Sequence, residues 1–124
     1  MPKKILIVDD STTMIYSVKT TLELHKFEVE TAGDGVQALT KLKGGVKPDL
    51  IITDINMPNM NGLELIKNVR ALPGFRFTPI LTLTTETQAE KRDEGKKLGA
   101  TGWLVKPIDG PTLVKVIKQV LPGA

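Results

Sequence analysis

Asp49-Leu50-Ile51-Ile52-Thr53-Asp54, read with the Ile55-Asn56-Met57-Pro58-Asn59-Met60-Asn61-Gly62 that follows it, decides the fold. Leu50, Ile51 and Ile52 form a continuous apolar run, too short to show a helical stripe, which suits a strand buried on both faces. The run ends on a carboxylate, Asp54, and the Asn, Pro and Gly residues after it are loop chemistry. Taken alone, an acid at such a junction reads as a loop cap. The other strand ends of the chain give it company.

Toward the N-terminus, Lys4 to Val8 reads as a strand ending in Asp9-Asp10. Ser11 or Thr12 then caps a helix to about His25, with Met14, Val18, Leu22 and Leu24 as its apolar stripe. Phe27 to Ala32 alternates Phe27, Val29 and Thr31 against Glu28 and Glu30, the pattern of an edge strand. Gly33-Asp34-Gly35 turns the chain into a short helix faced by Val36, Leu39 and Leu42, which Gly44-Gly45 stops.

Toward the C-terminus, Gly62 is assigned to the turn into a helix carrying Leu63, Leu65, Ile66 and Val69, which ends before Pro73-Gly74. Pro79 to Leu83 is a strand ending at Thr84-Thr85. Thr87 to Leu98 has helical composition but almost no apolar residues, and Gly95 lies inside it, so it is expected to be the least stable helix. Gly102 to Val105 is the fifth strand, ending at Lys106-Pro107. Asp109 caps the last helix, faced by Leu113, Val116, Ile117 and Val120, and Pro122-Gly123 closes the chain.

Five strands alternating with five helices, joined by crossovers of about 20 residues, imply an α/β fold with a doubly wound parallel sheet. Of the common orders for such sheets, 2-1-3-4-5 (flavodoxin-like) fits five strands and places the polar second strand at an edge. In that arrangement all strand carboxyl ends share one edge. Asp9, Asp10, Asp54, Thr84 and Lys106 then meet in the crevice between the first and third strands.

A cluster of three carboxylates either raises a pKa by mutual repulsion or recruits a cation. An all-oxygen set with open positions suits Mg²⁺, which favours one or two carboxylates plus a phosphate. A carboxylate nucleophile can accept a phosphoryl group. The cation would offset the repulsion between anions, while the Lys106 ammonium and Thr84 hydroxyl would take other phosphoryl oxygens.

Composition narrows the setting. The 124 residues suit one domain, 1–124, and 40% hydrophobic with 25% charged residues is globular usage. No apolar stretch approaches the roughly 20 residues of a membrane span, and the start is too short and acidic for a signal peptide. Without cysteine, thiolate metal sites and disulfides are excluded; a cytoplasmic protein is expected. A net charge of +3, with one Trp, one Tyr and three Phe, offers neither a dense cationic stripe nor a stacking platform, so no nucleic-acid partner is expected.

Four fragments bear a family likeness: Ile5-Leu6-Ile7-Val8-Asp9-Asp10-Ser11, Asp54-Ile55-Asn56-Met57-Pro58-Asn59-Met60-Asn61-Gly62, Leu83-Thr84-Thr85-Glu86, and Gly99-Ala100-Thr101-Gly102-Trp103-Leu104-Val105-Lys106-Pro107. In this order and spacing the chain resembles a response-regulator receiver domain of the stand-alone, CheY-like chemotaxis kind, from about residue 4 to residue 121. The 2-1-3-4-5 order is already known for CheY-like domains, so the resemblance and the order are not independent.

The resemblance implies phosphorylation of Asp54 by a histidine kinase (CheA-like). It implies Mg²⁺ held by Asp10, Asp54 and the backbone carbonyl of Asn56, with Asp9 assisting. It implies phosphoryl contacts from Thr84 and Lys106, a cis Lys106-Pro107 bond, and Asn56 and Glu86 tuning self-dephosphorylation. The family switch couples Thr84 to an aromatic on the fifth strand. Here that is Trp103, whose indole is larger than the usual Tyr or Phe and fits the inward pocket less readily.

The face built from the fourth helix, fifth strand and fifth helix carries Lys91, Arg92, Lys96, Lys97, Lys115 and Lys118, which suits an acidic partner or simply a solvated surface. Output is expected through a protein such as a flagellar-motor switch component, since no output domain follows, with a phosphatase as a further partner. A phosphorelay shuttle or kinase modulator is the alternative role. An aspartyl-phosphate phosphohydrolase would want a second acid two residues after Asp9, where Ser11 stands, and a flavodoxin-like carrier would want a phosphate loop where Asp9-Asp10 stand. His25 reads as compensating a helix dipole, and Met57 and Met60 as loop packing.

Overall fold

The computed structural model describes residues 2–122. Its elements alternate without exception: β1 (Lys4–Val8), α1 (Thr12–Leu24), β2 (Glu28–Ala32), α2 (Gly35–Lys43), β3 (Leu50–Thr53), α3 (Gly62–Ala71), β4 (Ile80–Thr84), α4 (Ala89–Leu98), β5 (Gly102–Val105) and α5 (Gly110–Val120). Gly123, expected to close the chain with Pro122, lies outside the described residues. The five strands pair in parallel in the order β2-β1-β3-β4-β5, as expected.

Alternation along the strands feeds two cores. Ile5, Ile7, Leu50, Ile52, Leu81 and Leu83 face one side, against Val18 and Leu22 of α1 and Leu113, Val114 and Ile117 of α5. Leu6, Val8, Ile51 and Ile80 face the other, against Ala38, Leu39 and Leu42 of α2 and Leu65, Ile66 and Val69 of α3. Leu50, Ile51 and Ile52 are fully buried, and burying each such side chain contributes about 1.5–3 kcal/mol. The central apolar run is thus held from both sides, which fixes where its last residue emerges.

Caps set the helix starts. Ser11, Asp34 and Asp109 accept from the amides of Met14, Gln37 and Thr112, and Asn61 forms a reciprocal capping box with Glu64. His25 caps α1, its Nδ1 2.9 Å from the Thr21 carbonyl, in keeping with a role at the helix end. Met57 and Met60 pack partly buried against the α2/α3 core.

Two expected core positions are corrected. Leu24 is 77% exposed because α1 ends there and the chain turns at His25 and Lys26 before β2. Val36 is 46% exposed because Ala38, Leu39 and Leu42 present the buried face of α2.

In α4 only Gly95 is buried, and its N-cap Gln88 makes no side-chain capping bond. Gly95 is there for contact: a Cβ would lie 2.9 Å from Trp103 Cζ3. With so little apolar surface covered, the α4 amides are expected to lose hydrogen-exchange protection before those of α5. Slower exchange in residues 89–98 than in 110–120 would refute this. None of the helices in the described residues is long and apolar enough to cross a membrane.

Candidate functional site

Backbone ladder bonds run one residue past the strand ends and carry the chemistry with them. The amide of Asp54 donates to the Val8 carbonyl (2.9 Å), that of Asp9 to Ala32 (3.1 Å), and that of Lys106 to Thr84 (2.8 Å). Asp9 and Asp54 are therefore placed by the sheet rather than by mobile loops. Both are buried, whereas Asp10 is exposed. One carboxylate oxygen from each of the three lies within 4.8 Å of the others.

Lys106 completes the cluster. Its Nζ is 2.8 Å from Asp9 Oδ2 and 3.1 Å from Asp54 Oδ2. The other oxygens are also engaged: Asp9 Oδ1 accepts from the Ser11 amide (2.9 Å) and Asp54 Oδ1 from the Ile55 amide (2.6 Å). Partial burial pulls the Lys106 pKa down, but its hydrogen bonds to Asp9 and Asp54 and their charges outweigh this and leave it raised. The ammonium stays charged, yet one cation against three carboxylates leaves the site negative.

A hard divalent cation fits this donor set. All ligands are oxygens, the carboxylates converge from the ends of the adjacent strands β1 and β3, and exposed Asp10 leaves an open side toward solvent. Ser11, where a phosphohydrolase would carry its second acid, is committed as the cap of α1, its Oγ accepting from Met14 (3.2 Å).

The remaining expected residues lie on β4 and β5 and in the loops after β3 and β4. Thr84 is fully buried and its Oγ1 accepts from the Glu86 amide (3.1 Å). Asn56 is exposed two residues beyond Asp54. Trp103 is half-buried, and its Nε1 donates to the Glu86 carbonyl (3.1 Å), so the indole is joined to the same β4–α4 loop that holds Thr84. Beside it, Arg92, Asp93 and Lys96 of α4 and residues 100–103 enclose a groove of about 320 Å³. Lys106-Pro107 is cis.

Gly62 is corrected from a turn residue to one of close approach. It is the first residue of α3, its amide donates to the Ile55 carbonyl (2.9 Å), and a Cβ on it would lie 2.1 Å from the Asp54 carbonyl oxygen. The sequence also hid Asn59. Its Nδ2 donates to Asp34 Oδ2 (2.7 Å), and the Gln37 amide and then Asn59 hold the Asp34 pKa below its ordinary value. No local pattern marks a contact between residues 25 positions apart.

The sequence pattern of the response regulator receiver domain matches residues 5–118. Protein PilH of Pseudomonas aeruginosa is 39% identical over 123 residues, covering 97% of this chain and 98% of that protein. Chemotaxis protein CheY-3 of Vibrio cholerae is 40% identical over 118 residues, covering 94% of this chain and 90% of that one. The solved structure of Vibrio cholerae chemotaxis protein CheY4 superposes with a TM-score of 0.93 at 50% identity, over 98% of this chain and 100% of that one.

Proposed function

Because the chain belongs to the response-regulator receiver family, we propose that it is a phosphorylation-activated switch whose acceptor is Asp54. The donor is the phospho-His of a histidine kinase (CheA-like). An Asp54 carboxylate oxygen forms the new P–O bond, the P–N bond breaks, and its electron pair returns to the imidazole. Asp54 emerges from a buried strand, so the nucleophile is held without an ordering cost at the moment of transfer.

Receiver domains typically bind Mg²⁺ at such an acidic cluster, and here Asp10, Asp54 and the Asn56 carbonyl would hold it, with Asp9 assisting. When bound, Mg²⁺ neutralises charge on the phosphoryl oxygens. Lys106 supplies a positive charge to another oxygen, and Thr84 an O–H, which its acceptance from the Glu86 amide leaves free to donate. Asn56, two residues beyond Asp54, and Glu86, whose amide donates to Thr84 Oγ1, would steer the water of self-dephosphorylation. Receiver domains are typically not enzymes in the ordinary sense, and only this self-directed chemistry is proposed.

The observation that carries the reading is the Lys106 ammonium bridging Asp9 and Asp54 inside a three-carboxylate cluster. Output would pass through the α4-β5-α5 face, where Trp103 meets the Thr84 loop and lysines offer charge to an acidic partner. The names of the Vibrio relatives favour chemotaxis; a flagellar-motor switch protein as target, a phosphatase as further partner and a cytoplasmic setting are our own reading. The test is incubation with acetyl phosphate and Mg²⁺, followed at once by intact mass. One added phosphoryl group is expected, and none in Asp54→Asn. An unmutated protein that gains no mass from fresh donor would sink the proposal.

A further inference from the structure

Asp34 is a buried carboxylate that the phosphoryl chemistry leaves unused. Capping α2 needs only one of its oxygens, and Oδ1 serves by accepting from the Gln37 amide (2.8 Å). The second oxygen is spent elsewhere, on Asn59 Nδ2 at 2.7 Å.

Asn59 lies in the loop between Asp54 and α3, with φ of 66°. The Met60 amide donates to the Pro58 carbonyl (2.7 Å), closing a three-residue turn around Asn59, and with positive φ this is the rare, strained form. The Met60 carbonyl accepts from the Gly35 amide (3.3 Å), and a Cβ on Gly35 would come within 2.9 Å of that carbonyl oxygen. The loop is therefore anchored at Ile55, through the Gly62 amide, and again at Asn59 and Met60 against the start of α2. Asn56 lies between these anchors.

We infer that Asp34 and Asn59 form a positioning pair, joined across the loop, which sets the direction of the Asn56 backbone carbonyl toward the divalent cation. The inference rests on the cation site proposed above. The left-handed turn is one that Asn tolerates better than most residues. The bond to Asp34 holds it in register.

Two variants of the full chain test this. Asn59→Gly keeps the positive φ at no steric cost and removes only the link. The exchange Asp34→Asn with Asn59→Asp keeps the net charge, keeps a good helix cap and rebuilds the hydrogen bond in reverse. Calorimetric titration with MgCl₂ is expected to show about tenfold weaker binding in Asn59→Gly and recovery to within about twofold in the exchange. Acetyl phosphate uptake by Asn59→Gly should fall at limiting Mg²⁺ and return at saturating Mg²⁺, while urea unfolding in chelator confirms a folded chain.

Unchanged Mg²⁺ affinity in Asn59→Gly, or an exchange variant as weak as Asn59→Gly, overturns the pair while leaving the phosphoacceptor reading intact. An unmutated chain that takes up no Mg²⁺ overturns both.

Discussion

Lys106→Met is expected to slow phosphoryl uptake from acetyl phosphate by about 10²–10³-fold, the usual consequence of removing one aimed donor from a developing anion. The same change should destabilise the chain by about 3 kcal/mol in chelator, because Asp9 and Asp54 are then left facing each other without their cation. Their side chains are only 5% and 10% exposed, so water replaces little of what the ammonium supplied. The pH dependence has a defined sign. The folded-state pKa of Lys106 is raised above its ordinary value of 10.5, so its contribution is fully present below 10.5 and is lost as pH rises through the raised value. Urea unfolding across that alkaline range should show the gap between unmutated protein and variant closing. A variant that takes up phosphoryl groups at nearly the unmutated rate, or a stability gap that widens with pH, would contradict the role given to Lys106.

Gly62→Ala is the second large effect. Helix propensity alone favours alanine by about 1 kcal/mol in a helix interior. Sterics decide against it, because the added Cβ would lie 2.1 Å from the Asp54 carbonyl oxygen, 2.9 Å from Ile55 Cα and 3.0 Å from the Asp54 carbonyl carbon. All three are backbone atoms at the end of the central strand, so no rotamer change relieves the contact. Either α3 lifts off the sheet or Asp54 shifts, and a net loss of about 3 kcal/mol is expected. The urea midpoint should fall, and phosphoryl uptake should fall with it because the strained atoms belong to the acceptor residue. A variant at least as stable as the unmutated chain would show that the strand end yields more easily than this contact allows.

The strands were legible because burial on both faces leaves a compositional mark: Ile5 to Val8, Leu50 to Ile52 and Ile80 to Leu83 are nearly uninterrupted apolar runs. Polar alternation likewise marked β2 as an edge, and among the described residues its only strand partner is β1. Helix faces were read less well where spacing alone was used. Leu24 and Val36 fit an apolar period, yet Leu24 stands where α1 ends and Val36 lies off the face that Ala38, Leu39 and Leu42 bury. Gly95 was read only as a weakness in α4; it is also the place where the indole of Trp103 packs. A glycine shows in the sequence only that a side chain is missing, never what occupies the space.

From the sequence alone came the alternating α/β order, the acids at the ends of β1 and β3, and the lysine at the end of β5. These follow from local hydrophobicity and from the rule that parallel strands bring their carboxyl ends to one edge. Only the tertiary structure decided that Lys106 bridges Asp9 and Asp54, that Gly62 presses against the acceptor's own carbonyl, and that Asn59 is bonded to Asp34. Each of these joins segments distant in the chain at ångström range. Hydrophobic patterning sets which surfaces meet, while the pairing of individual polar atoms depends on the register and packing that the whole fold imposes.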